Sequence, residues 1–222
     1  RTLPPSAAPV PPTLWQPAPS AVPSTGNYVY LQSATGDPLG DGAALLYTPA
    51  DAVIGSDSAA GLFSVQVRGD RYWDGRFRAM SHEARLKVGY YADLRRYPFH
   101  NPAKGGMLWS DPGRICEIAE AWFAVDSIAH NSAGGIESIA MRFEQRCEGA
   151  ASPLRGALRW SANEIAPFKG PLNPVPGTFW APAAGPTPTT STHWYLESDA
   201  ADPVGLGQTF LLSAPEVTLT FE

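Results

Sequence analysis

From residue 28 onward, apolar and polar side chains alternate with a period of two, the spacing that places neighbours on opposite faces of a sheet. Tyr28-Val29-Tyr30-Leu31 leads to a turn signal at Gly36-Asp37-Pro38 and then to the apolar run Ala43 to Tyr47. Phe63, Val65 and Val67 alternate with Ser64, Gln66 and Arg68; Tyr72 to Met80 follows the Gly69-Asp70 turn, and Leu86 and Val88 alternate again. The clearest hairpin joins Trp122–Ile128 to Ile136–Gln145 through Asn131-Ser132-Ala133-Gly134-Gly135, with Ile139, Met141 and Phe143 on one face. Leu154 to Trp160 supplies a last strand, and only the short segment Ser81 to Lys87 has helical character. Strands at this spacing, separated by Gly/Pro turns, predict an all-β domain over residues 28–161. Its expected form is an antiparallel β-sandwich of Ig-like or jelly-roll-like type.

Two proline-rich segments flank that domain. Residues 1–27 and 162–192 are dominated by Pro, Ala, Ser and Thr, which favour extended, polyproline-like backbone and bury little. They read as connectors. Sliding the chain by 165 residues aligns Pro9–Pro49 with Pro174–Ala214 without a gap, and 17 of the 41 positions are identical. Shared composition accounts for the proline matches but not for the ordered landmarks. Trp15 matches Trp180, Tyr30-Leu31-x-Ser33 matches Tyr195-Leu196-x-Ser198, and Asp37-Pro38-x-Gly40 matches Asp202-Pro203-x-Gly205. Such self-similarity is the mark of a tandem repeat. Residues 193–222 would then be the first strands of a second copy, either continued by further chain beyond Glu222 or completing a fold elsewhere.

Charge and chemistry narrow the picture by exclusion. The 222 residues carry a net charge of -5 with 17% charged residues, so there is no basic footprint for nucleic acid or anionic lipid. No stretch approaches the roughly 20 apolar residues of a membrane helix. The chain begins at Arg1 without Met or an apolar leader and is expected to be a processed chain or an excised piece. His82, His100, His130 and His193 are far apart and fall in no metal-ligand spacing. No Gly-x-Ser-x-Gly elbow or phosphate loop is present, and Asp37, Asp41, Asp51 and Asp57 form no calcium-loop string. The expectation is a non-catalytic protein without cofactor or metal.

Cys116 and Cys147 are the only cysteines. In a cytosolic protein such a pair would be free thiols; in a Pro/Gly/Ser/Thr-rich, lysine-poor chain the disulfide is the preferred reading, and with it an extracellular compartment. Several stretches between Leu86 and Arg159 also carry a resemblance. They are Leu86-Lys87-Val88-Gly89-Tyr90, Arg96-Tyr97-Pro98-Phe99, Gly113-Arg114-Ile115-Cys116, Phe143-Glu144-Gln145-Arg146-Cys147-Glu148-Gly149 and Leu154-Arg155-Gly156-Ala157-Leu158-Arg159. From about Tyr28 to Trp160 the chain resembles an uncharacterised β-rich module, about 150 residues long, of secreted multi-domain bacterial surface proteins. That module has Cys at both positions, which implies the Cys116–Cys147 bridge. Ile115 and Glu117 depart from the Gly and Asn often found around its first Cys. The resemblance implies compartment and fold type and carries no site residues.

Two functional expectations remain. The first is structural: an extracellular repeat protein whose connectors dock through Trp15 and Trp180. The hairpin carrying Tyr195, Leu196, Phe210 and Leu211 would then pair with a neighbouring copy, head to tail, to build filaments. The second is a glycan-binding or adhesive module that uses the aromatic and arginine-rich stretch Tyr90, Tyr91, Arg95, Arg96 and Tyr97, with Asp93 as a further polar group. Aromatics in a sandwich more often fill the core, which weighs against the second reading.

Overall fold

The structure, a computed structural model, describes residues 7–117, 119–147, 150–164, 170, 174–189, 192–213, 215 and 217–218. Glu148-Gly149, parts of both connectors and residues 219–222 lie outside the described residues. The chain divides into two compact units, Arg1–Lys169 and Gly170–Glu222.

The described residues of the first unit form ten strands: β1 Tyr28–Ser33, β2 Ala44–Tyr47, β3 Val53–Ala59, β4 Leu62–Arg68, β5 Tyr72–Arg78, β6 Gly89–Arg96, β7 Gly106–Ser110, β8 Ala119–His130, β9 Ile136–Cys147 and β10 Leu154–Ser161. They form one sheet in the order β2-β1-β10-β9-β8-β6-β7-β5-β4-β3. The all-β class holds, but the expected fully antiparallel pairing is corrected. The sheet is single and mixed, because β6 and β7 run parallel where Arg95 and Arg96 face Gly106 and Met107. Parallel neighbours ordinarily need a crossover of a dozen or more residues. Here only the end of β6 overlaps the start of β7, so the short link 97–105 suffices.

Connectivity also explains why the sheet curls. Its two edge strands, β2 and β3, are consecutive in the chain and joined by residues 48–52 alone. A link of that length spans at most roughly 20 Å, so the edges of a ten-stranded sheet must approach one another. The curl is closed by contacts between distant strands. Trp73 Nε1 on β5 donates to the Tyr47 hydroxyl on β2 at 3.0 Å, and the Ile136 N–H on β9 donates to the Ser58 hydroxyl on β3 at 3.1 Å.

The alternation seen in the sequence fills the inside of the curl. Phe63, Val65, Val67, Trp73, Phe77, Trp109, Phe123 and Phe143 are fully buried. Phe77 lies 5.5 Å from both Phe123 and Phe143, and Trp109 stacks on Phe143 at 4.8 Å. Two strand glycines make room for these rings. Gly75 faces Trp109 and Gly156 faces Phe143 across their ladders. A Cβ at Gly75 would stand 2.3 Å from the Trp109 ring, and one at Gly156 2.2 Å from the Phe143 ring. The Ser81–Lys87 segment forms turns and bends instead of a helix. Val88 stays exposed while Leu86 is buried.

Among the described residues, the second unit contains one hairpin, β11 His193–Glu197 with β12 Thr209–Ser213.

Gly156→Ala is expected to destabilise the first unit by about 1–3 kcal/mol or more, because a methyl group is forced into a packed ring. Gly55→Ala, on β3 with nothing within 4 Å of the added Cβ, is the control and should stay within about 0.5 kcal/mol. Denaturant unfolding of the two variants checks the contrast.

Candidate functional site

Outward-facing residues of β6, β8 and β9 build a groove of about 530 Å³ on the convex face of the sheet. Because side chains alternate, Phe123 and Phe143 point into the core while Trp122 and Glu144, directly opposite each other on β8 and β9, point out. Tyr90 reaches the same face from β6, and its ring lies 5.9 Å from that of Trp122 at an interplanar angle of 59°. A bulge between Tyr91 and Leu94 puts Asp93 at φ 53° and carries its carboxylate to the rim.

Every cation lining the groove has a carboxylate. Arg95 pairs with Glu120 at 2.9 Å, Lys104 with Asp93 at 3.4 Å and Arg146 with Glu144 at 2.8 Å. Glu144 also receives Arg155 at 2.8 Å. Burial pushes the Tyr90 phenol above its ordinary pKa, with the Asp93 and Glu144 carboxylates adding to the effect, so it remains a neutral donor.

The groove gathers only part of the ligand set expected from the sequence. Tyr90 and Arg95 are there. Tyr91 is corrected: it is 1% exposed, stacks on Phe123 at 4.3 Å, and its hydroxyl donates to the Lys87 carbonyl and accepts from the Lys87 N–H. It is a core residue. Arg96 lies elsewhere, paired with Glu117 and 5.3 Å above the Phe99 ring. Tyr97 stacks on His100 at 5.6 Å, outside the groove. Sequence reasoning missed Trp122, Glu120, Glu144, Lys104 and Arg146. The signal for Trp122 was its position beside Phe123 in an alternating strand.

The connector residue Trp15 lies against the first unit's sheet. Arg142, which grips Asp126 through two contacts of 2.6 and 2.8 Å, donates to the Trp15 carbonyl at 2.8 Å. Further up, Ala8 and Tyr90 exchange both backbone hydrogen bonds, at 3.1 and 2.7 Å. In the second unit Trp180 is 64% exposed and lies parallel to Tyr195, ring centroids 6.3 Å apart. Leu196, Phe210 and Leu211 on that hairpin are each 40–50% exposed.

The two turns that follow β1 and β11 share one hydrogen-bond plan. Asp37 accepts from the Ser33 hydroxyl and the Gly40 N–H, both at 2.8 Å, while Ser33 accepts from the Gly42 N–H at 2.9 Å. In the second unit, Asp202 accepts from the Ser198 hydroxyl and the Gly205 N–H, both at 2.8 Å, and Ser198 accepts from the Gly207 N–H at 3.3 Å. Those bonds, the one from Gly205 first, hold the Asp202 carboxyl below the usual carboxylate range. Leu31 faces Leu45 and Leu196 faces Phe210, the same register displaced by the same number of residues.

Cys116 and Cys147 form a disulfide, with Cα atoms 5.0 Å apart and both residues buried. Among the described residues, no group of three His, Cys, Asp or Glu could hold a metal ion, and no helix is long and apolar enough to cross a membrane. The first unit is thus a disulfide-bonded, all-β domain with a neutral, aromatic-floored surface groove. No family model, curated protein or solved structure matches the chain.

Removing the bridge with Cys116→Ser and Cys147→Ser should lower stability by about 3–4 kcal/mol, given the chain-entropy cost of a loop this long. The shift in urea midpoint reads it. Acid should act in the same direction. His100 and His130 sit below their ordinary 6.5, burial being the larger cause for both, with Arg78 and Arg85 respectively adding to it. The folded chain therefore binds these protons less readily than the unfolded one. The stability they confer is complete above the unfolded pKa and is lost as pH falls from there through the lower folded pKa. Melting temperature should decline as pH falls below about 6.5, and less steeply in the His100→Asn, His130→Asn variant.

Proposed function

We propose that this chain is a non-catalytic structural module of an extracellular, disulfide-bonded repeat protein. In this reading the second hairpin is the opening hairpin of another copy of the domain. The observation that carries it is the recurrence, at the same displacement, of both the Ser-Asp-Gly turn and the strand register. A composition bias would reproduce proline content but not a hydrogen-bond plan. Secretion is supported by the buried disulfide and by the resemblance around Phe143–Cys147.

The exposed apolar residues give the module a mode of assembly. In the first unit β1 is covered on its other edge by β10, with Gln32 facing Arg155 and Leu31 facing Gly156. Leu31 is 1% exposed; its counterpart Leu196 is 50% exposed. A neighbouring copy completes the second hairpin when β11 and β12 take the place of its β1 and β2 in the same register. Glu197 then stands where Gln32 stood, opposite Arg155, and adds a favourable cross-strand charge pair. Exchange of an identical element is a low-cost route to association, and a head-to-tail contact that does not close propagates into filaments.

Light scattering across a concentration series, with negative-stain microscopy of the same samples, tests the proposal. The mass should climb with concentration and strings should be visible. Gly205→Ala, whose Cβ would come 2.3 Å from that of Ser198, should abolish the higher masses while the unfolding transition of the first unit is unchanged. A single monomeric mass at every concentration overturns strand exchange.

A further inference from the structure

We infer that the groove between Tyr90 and Trp122 is a binding site for a neutral, soluble glycan chain. This does not depend on the assembly reading, since the groove lies wholly within the first unit. Three features select that ligand class.

The first is electrostatic. The three cations of the groove are already opposite three carboxylates, at 2.9, 3.4 and 2.8 Å. A charged ligand would have to break one of these pairs to be compensated. A hydroxyl needs no such exchange, because it can donate to a carboxylate lone pair and accept an unused guanidinium or ammonium N–H while the pair persists.

The second is the floor. Tyr90 and Trp122 line the groove with aromatic surface on which the C–H groups of a sugar can pack, and the polar rim supplies hydrogen-bonding groups beside them. About 530 Å³ is within the range of small-molecule sites and exceeds what a lone ion or water cluster requires.

The third is the angle between the rings. At 59° they cannot lie together on the flat face of a crystalline polysaccharide, which requires coplanar platforms. They fit a chain whose successive sugars rotate relative to one another, as in soluble glycans.

Isothermal calorimetry on the full 222-residue chain tests the site with laminarin, glycogen, galactomannan and soluble chitooligosaccharides as probes. Heparin and microcrystalline cellulose serve as the anionic and flat counter-probes. Binding to at least one neutral soluble glycan is expected, little affected by salt, with no retention on cellulose. Trp122→Ala should weaken that binding roughly tenfold or more, the consequence of losing one stacked ring. Asp93→Gly guards against a folding artefact. Its φ of 53° suits glycine, so the fold is kept while the carboxylate is lost, and binding should fall severalfold with the melting temperature unchanged or raised. Tyr97→Ala, outside the groove, should bind as the parent does. The inference is overturned if no neutral glycan binds at millimolar concentration. It is equally overturned if Trp122→Ala and Asp93→Gly leave binding intact, or if heparin binds in preference with a steep salt dependence.

Discussion

The stack of Trp109 on Phe143 joins two strands, β7 and β9, that are not neighbours in the sheet. Much of the first unit is arranged around that contact. Each ring lies over a glycine on the strand paired with its own, Gly75 or Gly156, where any side chain would collide with it. Gln145, two residues beyond Phe143 and fully buried, then uses its amide to replace a strand partner. Its carbonyl accepts from the Trp109 N–H and its NH₂ donates to the Trp109 C=O, both at 2.9 Å. Left unmet, those two backbone groups would each carry a desolvation penalty of about 1–3 kcal/mol. Two residues further on, Cys147 fixes the same strand covalently to Cys116. The period-two stretch Phe143-x-Gln145-x-Cys147 thus supplies a ring, an amide and a disulfide sulfur to one interior face.

The same alternation assigns the opposite face of β9 to Arg142, Glu144 and Arg146. Glu144 holds Arg146 and Arg155, and Arg142 holds Asp126 while bracing the Trp15 carbonyl. These pairs are partly buried, Arg142 and Glu144 being largely covered while their partners stay more open to water, so the Coulomb gain is largely offset by the cost of desolvation. Their larger effect is to leave the convex face close to neutral around Tyr90 and Trp122, and that neutrality sets the chemistry the groove can accept. Core and groove are therefore two sides of one ladder, tied by the pleat.

The hairpins β1–β2 and β11–β12 show how far local sequence dictates local structure. The Ser-Asp-Gly turn forms alike in both, although Asp37 is buried and Asp202 only partly so. Short-range hydrogen bonds are sufficient to specify it. What differs is the fate of the apolar residues beside the turn, because Leu31 has a sheet around it and Leu196 does not have the same cover.

Alternation and turn chemistry by themselves determined the all-β class, the positions of β1, β2, β4, β5, β8, β9 and β10, and the recurring hairpin, since each follows from contacts a few residues apart. Composition and resemblance pointed to the Cys116–Cys147 pair. Strands β3, β6 and β7 were not legible as such. Val53–Ala59 carries few large apolar residues, Gly89–Arg96 is interrupted by a bulge, and Gly106–Ser110 is buried throughout and does not alternate. The parallel β6–β7 contact, the curl and the choice of which aromatic is core and which is groove were decided by tertiary structure. Tyr90 and Tyr91 are the plainest case: adjacent and chemically identical, they part to opposite faces because the pairing of β6 with β8, a partner some thirty residues away, sets which side of the pleat each one occupies.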